Sequence, residues 1–190
     1  MRSRLAPKCR GLCGAVALFA CVASLSAGAQ IIAPSAARNV VYAEFAGAAG
    51  LFSLNYERLT EEGLYFRGGT GFWAFTNLDN VREEITTVVT GVSRRFDVSD
   101  QLKQGEGRIV EAGLAVVAGT YKRTRYDVVE VDGSYASLVP TVGVRAEPPG
   151  GGYTWRLTFT PLIPIVNRAS AFPRPTPILW AGISAGYIFR

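Results

Sequence analysis

Apolar and polar residues alternate along most of the chain beyond residue 38, and the final stretch, 179–189, shows this most simply. Its odd-numbered positions are all apolar, whereas its even-numbered positions are mostly small. Side chains two residues apart share a face only in an extended chain, so the pattern predicts a β-strand. Its length is about what a tilted strand needs to cross the hydrocarbon layer of a bilayer. The apolar face consists of Leu179, Ala181, Ile183, Ala185, Tyr187 and Phe189.

The same alternation predicts seven more strands, separated by segments rich in glycine, proline or charge. In the clearest, Phe52 and Leu54 lie on one face and Ser53 and Asn55 on the other. An even number of antiparallel strands can close into a barrel without an unpaired edge. The predicted fold is therefore all-β, an eight-stranded antiparallel up-and-down transmembrane β-barrel over residues 39–190. The predicted strands are 40–47, 51–59, 64–75, 85–96, 109–119, 136–146, 153–160 and 179–189.

The segments between the predicted strands indicate how the barrel is oriented. In such barrels both termini and the short turns face the periplasm, and the longer loops face outward. The turns at 61–63 and 148–152 are therefore predicted to be periplasmic, and the loops at 121–134 and 161–177 to be external. The charged connection 97–107 is long for a periplasmic turn.

The first 29 residues predict a cleaved signal peptide rather than part of the fold. Four basic residues precede an uncharged, largely apolar segment at 11–25, and the small residues Ala27 and Ala29 form a cleavage site. Cleavage there leaves a short lead-in at 30–38. A membrane anchor is the alternative, but the apolar segment is short for a spanning helix. A second alternative to cleavage after Ala29 is a lipoprotein signal in which Cys21 is lipidated.

Removing this segment changes the composition of the chain. All three cysteines lie within it, so the mature chain has no thiol for a disulfide or a cysteine metal site. Four of the 20 basic residues and none of the 15 acidic residues are also lost, leaving 16 bases against 15 acids. The basic character belongs mostly to the signal, so the charge gives no reason to expect nucleic-acid binding.

The class of barrel depends on which face of the strands points outward. The non-apolar faces carry mostly glycines, small hydroxyl residues and single charges, which would make a poor water-facing surface for a soluble barrel. They suit a narrow lumen in which charges must pair, because isolated buried charges are costly. We therefore predict a membrane barrel whose lumen holds an ion-pair network. Its residues are Glu44, Glu57, Arg67, Arg95, Glu111, Arg145 and Arg156.

Five segments of the chain resemble a family of small outer-membrane β-barrel proteins that are common in Gram-negative bacteria. Residues 39–45 and 50–58 are similar to the opening hairpin of that family. Residues 140–145 and 151–163 are similar to its sixth and seventh strands, and 180–189 to its closing strand.

The resemblance implies a place in the outer membrane, in contact with its lipid, but no particular activity. It also implies that the terminal strand, with its apolar face from Leu179 to Phe189, is the strand that the barrel-assembly machinery recognises. The chain departs from the family in its trailing Arg190 and in the long connection 97–107.

The residues that are missing limit the chemistry. The chain contains no histidine, which excludes Ser-His-acid hydrolysis, histidine acid–base catalysis and ordinary zinc sites. Glu44, Glu57 and Glu111 could supply paired carboxylates for hydrolysis, but ion pairing with the lumen arginines is the simpler interpretation. We predict no enzyme activity, no cofactor and no metal.

The polar segment 121–134 offers two candidate ligand sites. Asp127, Glu130 and Asp132 alternate as calcium ligands sometimes do, although a solvated hairpin tip explains them as well. The basic run at 122–125 could contact lipopolysaccharide phosphates or another surface ligand, or it could simply be a charged loop. The expected function is structural or surface-interacting, with a narrow pore or a soluble ligand-binding barrel as alternatives.

Overall fold

The computed structural model describes residues 38–60, 63–97, 108–148, 150–168 and 180–190. The predicted signal segment with Ala27 and Ala29, most of the predicted lead-in, the connection 98–107 and Leu179 lie outside these residues. The described strands are β1 (Arg38–Gly47), β2 (Gly50–Leu59), β3 (Leu64–Thr76), β4 (Val81–Asp97), β5 (Arg108–Arg125), β6 (Val128–Ala146), β7 (Gly152–Phe159), β8 (Ile163–Asn167) and β9 (Ala181–Phe189).

The strands form one closed antiparallel ring. Neighbours in sequence pair from β1 to β6, and the last strand, β9, pairs with both β7 and β1. β7 and β8 share one position beside β6, because β7 pairs with Val142–Ala146 and β8 with Tyr135–Leu138. The ring therefore has eight positions, and the predicted eight-stranded up-and-down barrel is confirmed.

The segment 121–134, predicted as a loop that extends the hairpin beyond the membrane, is a continuous pair of strands. β5 runs to Arg125 and β6 begins at Val128, so only Tyr126 and Asp127 form the turn. Opposite charges face each other across the two strands, as at Lys122 and Asp132. Such cross-strand pairs stabilise a sheet even where most of its residues are polar.

Two further boundaries differ from the prediction. β4 begins at Val81 rather than residue 85, because it pairs with the extended β5 as far as Arg125. β8 lies within the segment expected to be a proline-rich loop. Pro164 sits beside an irregularity in the pairing with β6, where a missing backbone N–H is tolerated.

The two ends of the barrel differ. Arg38 and Phe189 lie at one end, which we call the terminal end. The turns 48–49, 77–80 and 126–127 lie at the other, which we call the hairpin end. β4, β5 and β6 contain 17, 18 and 19 residues, whereas β1, β7 and β9 contain 10, 8 and 9. One side of the barrel therefore projects further at the hairpin end.

The outer surface is apolar and the inner surface is largely polar, the reverse of a soluble barrel. Many large apolar side chains are exposed on the outside, while most of the charged residues on the inner faces are buried. This arrangement is typical of barrels that face lipid. Among the described residues, no helix is long and apolar enough to cross a membrane. The exposed side chains include Phe45, Phe52, Leu54, Phe66, Phe72, Trp155, Leu157, Ile183 and Tyr187.

The lumen is layered along the barrel axis. Toward the hairpin end an apolar cluster includes Ile85, Val89, Val117 and Val139, and the β1–β2 turn contributes Ala48 and Ala49 to it. This turn is held inside by a hydrogen bond, because the Thr87 hydroxyl donates to the backbone oxygen of Ala49 at 2.6 Å. Charged residues fill the centre of the barrel.

Candidate functional site

The seven predicted lumen residues all lie on inward-facing positions. Strand alternation places each of them on the inner face, and the pairing register sets their neighbours. Glu57 of β2 is the direct partner of Arg67 of β3, and Arg145 of β6 is the direct partner of Arg156 of β7. Two like charges therefore lie side by side on β6 and β7, and they need carboxylates from elsewhere.

Arg156 supplies the widest set of contacts in the network. Its Nη1 donates to Glu57 Oε1 at 2.7 Å and its Nη2 donates to Glu44 Oε1 at 3.1 Å. Its Nη1 also lies 3.4 Å from Glu111 Oε1. One arginine of β7 thus joins carboxylates from β1, β2 and β5.

Arg145 and Arg67 complete the central group. Arg145 Nη2 lies 2.5 Å from Glu57 Oε2 and 3.0 Å from Glu111 Oε2. Arg67 forms an ion pair with Glu44, and its Nε and Nη2 donate to Asn55 Oδ1 at 3.1 and 2.9 Å. All of these side chains are buried.

The last predicted member, Arg95, pairs with a residue that the sequence pattern did not single out. Its Nη1 lies 2.8 Å from Glu147 Oε2, and the Tyr65 hydroxyl donates to the other oxygen of that carboxylate. Arg145 Nη1 lies 3.8 Å from the same oxygen, which links this pair to the central group. Glu147 falls between the predicted strand 136–146 and the predicted turn 148–152, although it continues the inward-facing series of Arg145.

Including Glu147, the charges in the network balance. The sequence pattern predicted three acids and four bases, whereas the ion pairs of this network join four carboxylates and four guanidinium groups. Removing one partner from such a buried set leaves an uncompensated charge, which costs about 3 to 5 kcal/mol. The balance is therefore a condition for keeping these groups in an enclosed space.

Two tyrosines support the arginines. The Tyr42 hydroxyl donates to Glu57 Oε1 at 2.7 Å, and its ring centroid lies 4.3 Å from the guanidinium carbon of Arg156. The Tyr65 ring centroid lies 4.5 Å from the guanidinium carbon of Arg145. These distances are within the range of cation–π interactions. Sequence alternation had placed both tyrosines on the charged faces of their strands but had given them no role.

The centre of the lumen is nearly full. A cavity beside Glu57, Glu111 and Arg156 has a volume of about 20 Å³, close to that of a single water molecule. The carboxylate of Glu111 lies at ion-pair distance from two arginines, but neither contact has hydrogen-bond geometry. The described residues contain no cluster of histidine, cysteine or acidic side chains suited to a metal ion.

The predicted assembly strand lies next to the first strand of the barrel. Phe189 is the partner of Asn39 and Ile183 is the partner of Phe45, so β9 closes the ring against β1. Ile183, Tyr187 and Phe189 are exposed on the outer surface, as are Ala181 and Ala185. Leu179 lies outside the described residues.

The predicted ligand segments at the hairpin end are largely occupied by their own contacts. Arg123 and Arg125 lie 3.2 and 3.3 Å from the carboxylate of Glu130. Lys122 is opposite Glu84 on one side and Asp132 on the other. The basic run therefore does not form a free cationic patch.

Comparisons with known proteins bear on the fold. No protein-family model matches the chain, and no curated protein matches its sequence. A major outer membrane protein from Thermus thermophilus has a similar structure, with a TM-score of 0.50 and 15% identity over 82% of this chain and 100% of that one. Ail, the attachment invasion locus protein of Yersinia pestis, solved in complex with the heparin analogue sucrose octasulfate, is similar at a TM-score of 0.47 and 12% identity, over 80% and 95%.

The likeness to the Thermus protein shows the fold. Together with the inverted distribution of apolar and polar side chains, it shows that the chain has the fold of an outer-membrane β-barrel. The fold that the sequence resemblance implied is thus confirmed.

Proposed function

We propose that this chain is a non-enzymatic, integral outer-membrane β-barrel with a closed lumen, and that it acts structurally and through surfaces at its hairpin end. The observation that carries the proposal is the balanced lumen network of four arginines and four glutamates, which fills the barrel where a channel or a substrate site would lie.

The contacts of the network support a structural rather than a catalytic role. Each carboxylate of the network lies against at least one guanidinium group. A general acid or base must reach a substrate proton, and a nucleophile needs an activating base. Carboxylates enclosed by arginines meet neither requirement, and the chain has no histidine that could assist.

The packing of the lumen supports closure rather than passage. A pore needs a continuous aqueous path, which eight strands rarely leave. Here the charged centre is followed toward the hairpin end by the apolar cluster, with the β1–β2 turn inserted into it. Such a turn blocks the lumen at the end where an external solute would enter.

Fractionation followed by gel electrophoresis tests the location and fold together. We expect the chain in the outer-membrane fraction, and we expect its apparent mass to change on heating because folded membrane barrels resist detergent until heated. Recovery in the soluble periplasmic fraction would contradict the proposal.

Planar-bilayer recording of the purified barrel tests closure separately. We expect no steady conductance above that of the bilayer. Stable, reproducible channel openings would favour the narrow pore and would overturn the closed lumen, but not the membrane location.

A further inference from the structure

On the outer face of the long strands β4, β5 and β6, the side chains change from apolar to charged and then back to apolar toward the hairpin end. Phe72 belongs to the exposed apolar surface and lies in one cross-strand row with Thr86, Thr120 and Ser134. Two residues further toward the hairpin end, the next row on the outer face contains Glu84, Lys122 and Asp132. Arg82 on β4 follows on the same face. We call these four residues the charged collar. Because charged groups are costly inside the hydrocarbon layer, the collar marks the point at which the strands leave it.

Apolar side chains reappear beyond the charged collar. Leu78 is 103% exposed, Tyr126 is 69% exposed and Val128 is 66% exposed. We call these three residues the tip patch. They lie on neighbouring hairpins, since the Tyr126 N–H donates to the Asn80 oxygen at 3.5 Å and Val81 is the partner of Arg125. The collar separates the tip patch from the lipid-facing surface, so lipid does not explain its exposure.

The backbone at Tyr126 gives an independent reason to assign it a role. Tyr126 and Asp127 have φ values of +47° and +62° and form a two-residue hairpin turn. Such turns favour Asn-Gly, because a bulky side chain in the left-handed region is strained. A strained, exposed aromatic residue at the apex of the longest hairpin contributes less to stability than asparagine would, and such outliers cluster at functional sites.

The neighbouring hairpin holds Leu78 in a defined position. The Asn77 side-chain oxygen accepts hydrogen bonds from the backbone N–H groups of Asp79 and Val81, both at 3.0 Å. The Asn77 N–H also donates to the Val81 oxygen at 3.0 Å. Leu78 is therefore presented on an ordered turn.

The charges around the tip patch indicate which partner it fits. Segments 77–84 and 122–132 together carry six acidic and four basic residues. Arg82 lies against Glu84, and Arg123 and Arg125 both lie against Glu130, so three of the four bases are paired with only two of the six acids. An excess of acid disfavours phosphate or sulfate groups and favours a cationic partner.

We propose that the tip patch is a docking surface, outside the membrane, for a cationic amphipathic polypeptide. Its apolar side chains would cover Leu78, Tyr126 and Val128, and its basic side chains would face the surrounding carboxylates. This docking surface rests on the proposed function, because it requires a barrel that holds the hairpins above a membrane.

A synthetic amphipathic peptide of leucine and lysine tests the docking surface. It is titrated against the folded chain in phosphatidylcholine nanodiscs, with empty nanodiscs as background. The double variant Leu78→Ser, Tyr126→Asn should bind about tenfold more weakly or worse, as expected when two central apolar contacts are lost. Peptides with glutamate in place of lysine, or serine in place of leucine, should not bind above background.

Two single variants separate docking from folding. Asparagine suits the left-handed turn. In Tyr126→Asn, the temperature at which half of the barrel unfolds on the gel should therefore be unchanged or higher, while binding of the leucine–lysine peptide falls. Tyr153→Asn removes an exposed tyrosine at the terminal end and should leave binding unchanged. Undiminished binding to the double variant, or equal binding of the glutamate peptide, would overturn the docking surface. Loss of heat-modifiability in the unaltered chain would instead overturn the proposed function.

Discussion

At Glu111 a single carboxylate separates two arginines that are direct partners in the sheet. It lies 3.0 Å from Arg145 and 3.4 Å from Arg156. Like charges at opposed positions destabilise a pair of strands, so the carboxylate between them offsets their repulsion. The stability of the barrel is therefore expected to depend on the charge of Glu111 rather than on its shape.

Glu111→Gln keeps the shape of this side chain and removes its charge, which leaves four bases against three acids. We expect the free energy of unfolding to fall by about 3 to 5 kcal/mol, as for other buried pairs that lose one partner. The urea midpoint of the folded barrel in lipid measures the change.

Glu130→Gln is the matched control, because it removes a carboxylate that also contacts two arginines but is about a third exposed. The free energy of unfolding of the Glu130→Gln variant is expected to change by no more than about 1 kcal/mol. Equal losses from the two variants would contradict an enclosed lumen network.

Arg95 and Glu147 form the pair that balances the network, so their effects on stability should be coupled. Arg95→Met and Glu147→Gln should each lower the urea midpoint, because each leaves a buried charge without its partner. The free energy of unfolding should fall less in the double variant than the sum of the two single losses, by about 0.5 to 3 kcal/mol. Additive losses would show that the two residues act independently.

At the scale of the element, β9 has to close the ring against β1. The apolar outer face of this strand continues to Phe189, which is paired with Asn39. We therefore predict that Phe189→Ala lowers the amount of heat-modifiable barrel in the outer membrane, because it shortens the apolar face. Deleting Arg190 should have little effect, since that residue lies beyond the strand. Similar losses from both changes would count against Phe189 as part of a recognition signal.

The β5–β6 hairpin shows how a strand can be hidden by its composition. Residues 121–134 are the most polar stretch of the chain, and their charges obscured the alternation on which strands were predicted. The strand continues because Lys122 faces Asp132 and the turn needs only two residues. Charged residues on a strand beyond the lipid face water, so they carry no penalty for membrane insertion.

For the whole molecule, the ring places both described chain ends at the terminal end and the tallest hairpins at the other. The predicted mature chain has no cysteine, so single introduced thiols can report on orientation. We expect a membrane-impermeant maleimide to label intact cells that carry Tyr126→Cys and not those that carry Gly150→Cys. Both variants should be labelled after the outer membrane is permeabilised. Labelling of Gly150→Cys alone in intact cells would reverse the topology.

The period-two alternation by itself determined the class of fold, most of the strands and seven of the eight members of the lumen ion-pair network. It could do so because the side-chain period of a strand is a local property, and because a membrane barrel separates apolar from polar faces on every strand. Glu44 and Arg156 were therefore assigned to the same lumen without knowledge of their contacts. The signal peptide, with Ala27 and Ala29, stays a prediction.

Only the tertiary structure decided which charges meet. Glu44 contacts Arg67, 23 residues away, and Arg156, 112 residues away, and no local pattern specifies a register between such distant strands. Pairing of β5 with both β4 and β6 likewise brought Glu147 to Arg95, and a hydrogen bond from Thr87 holds the β1–β2 turn inside the lumen. Alternation decides which face a side chain occupies, whereas register, tilt and closure decide its neighbours, and these depend on how all the strands pair at once.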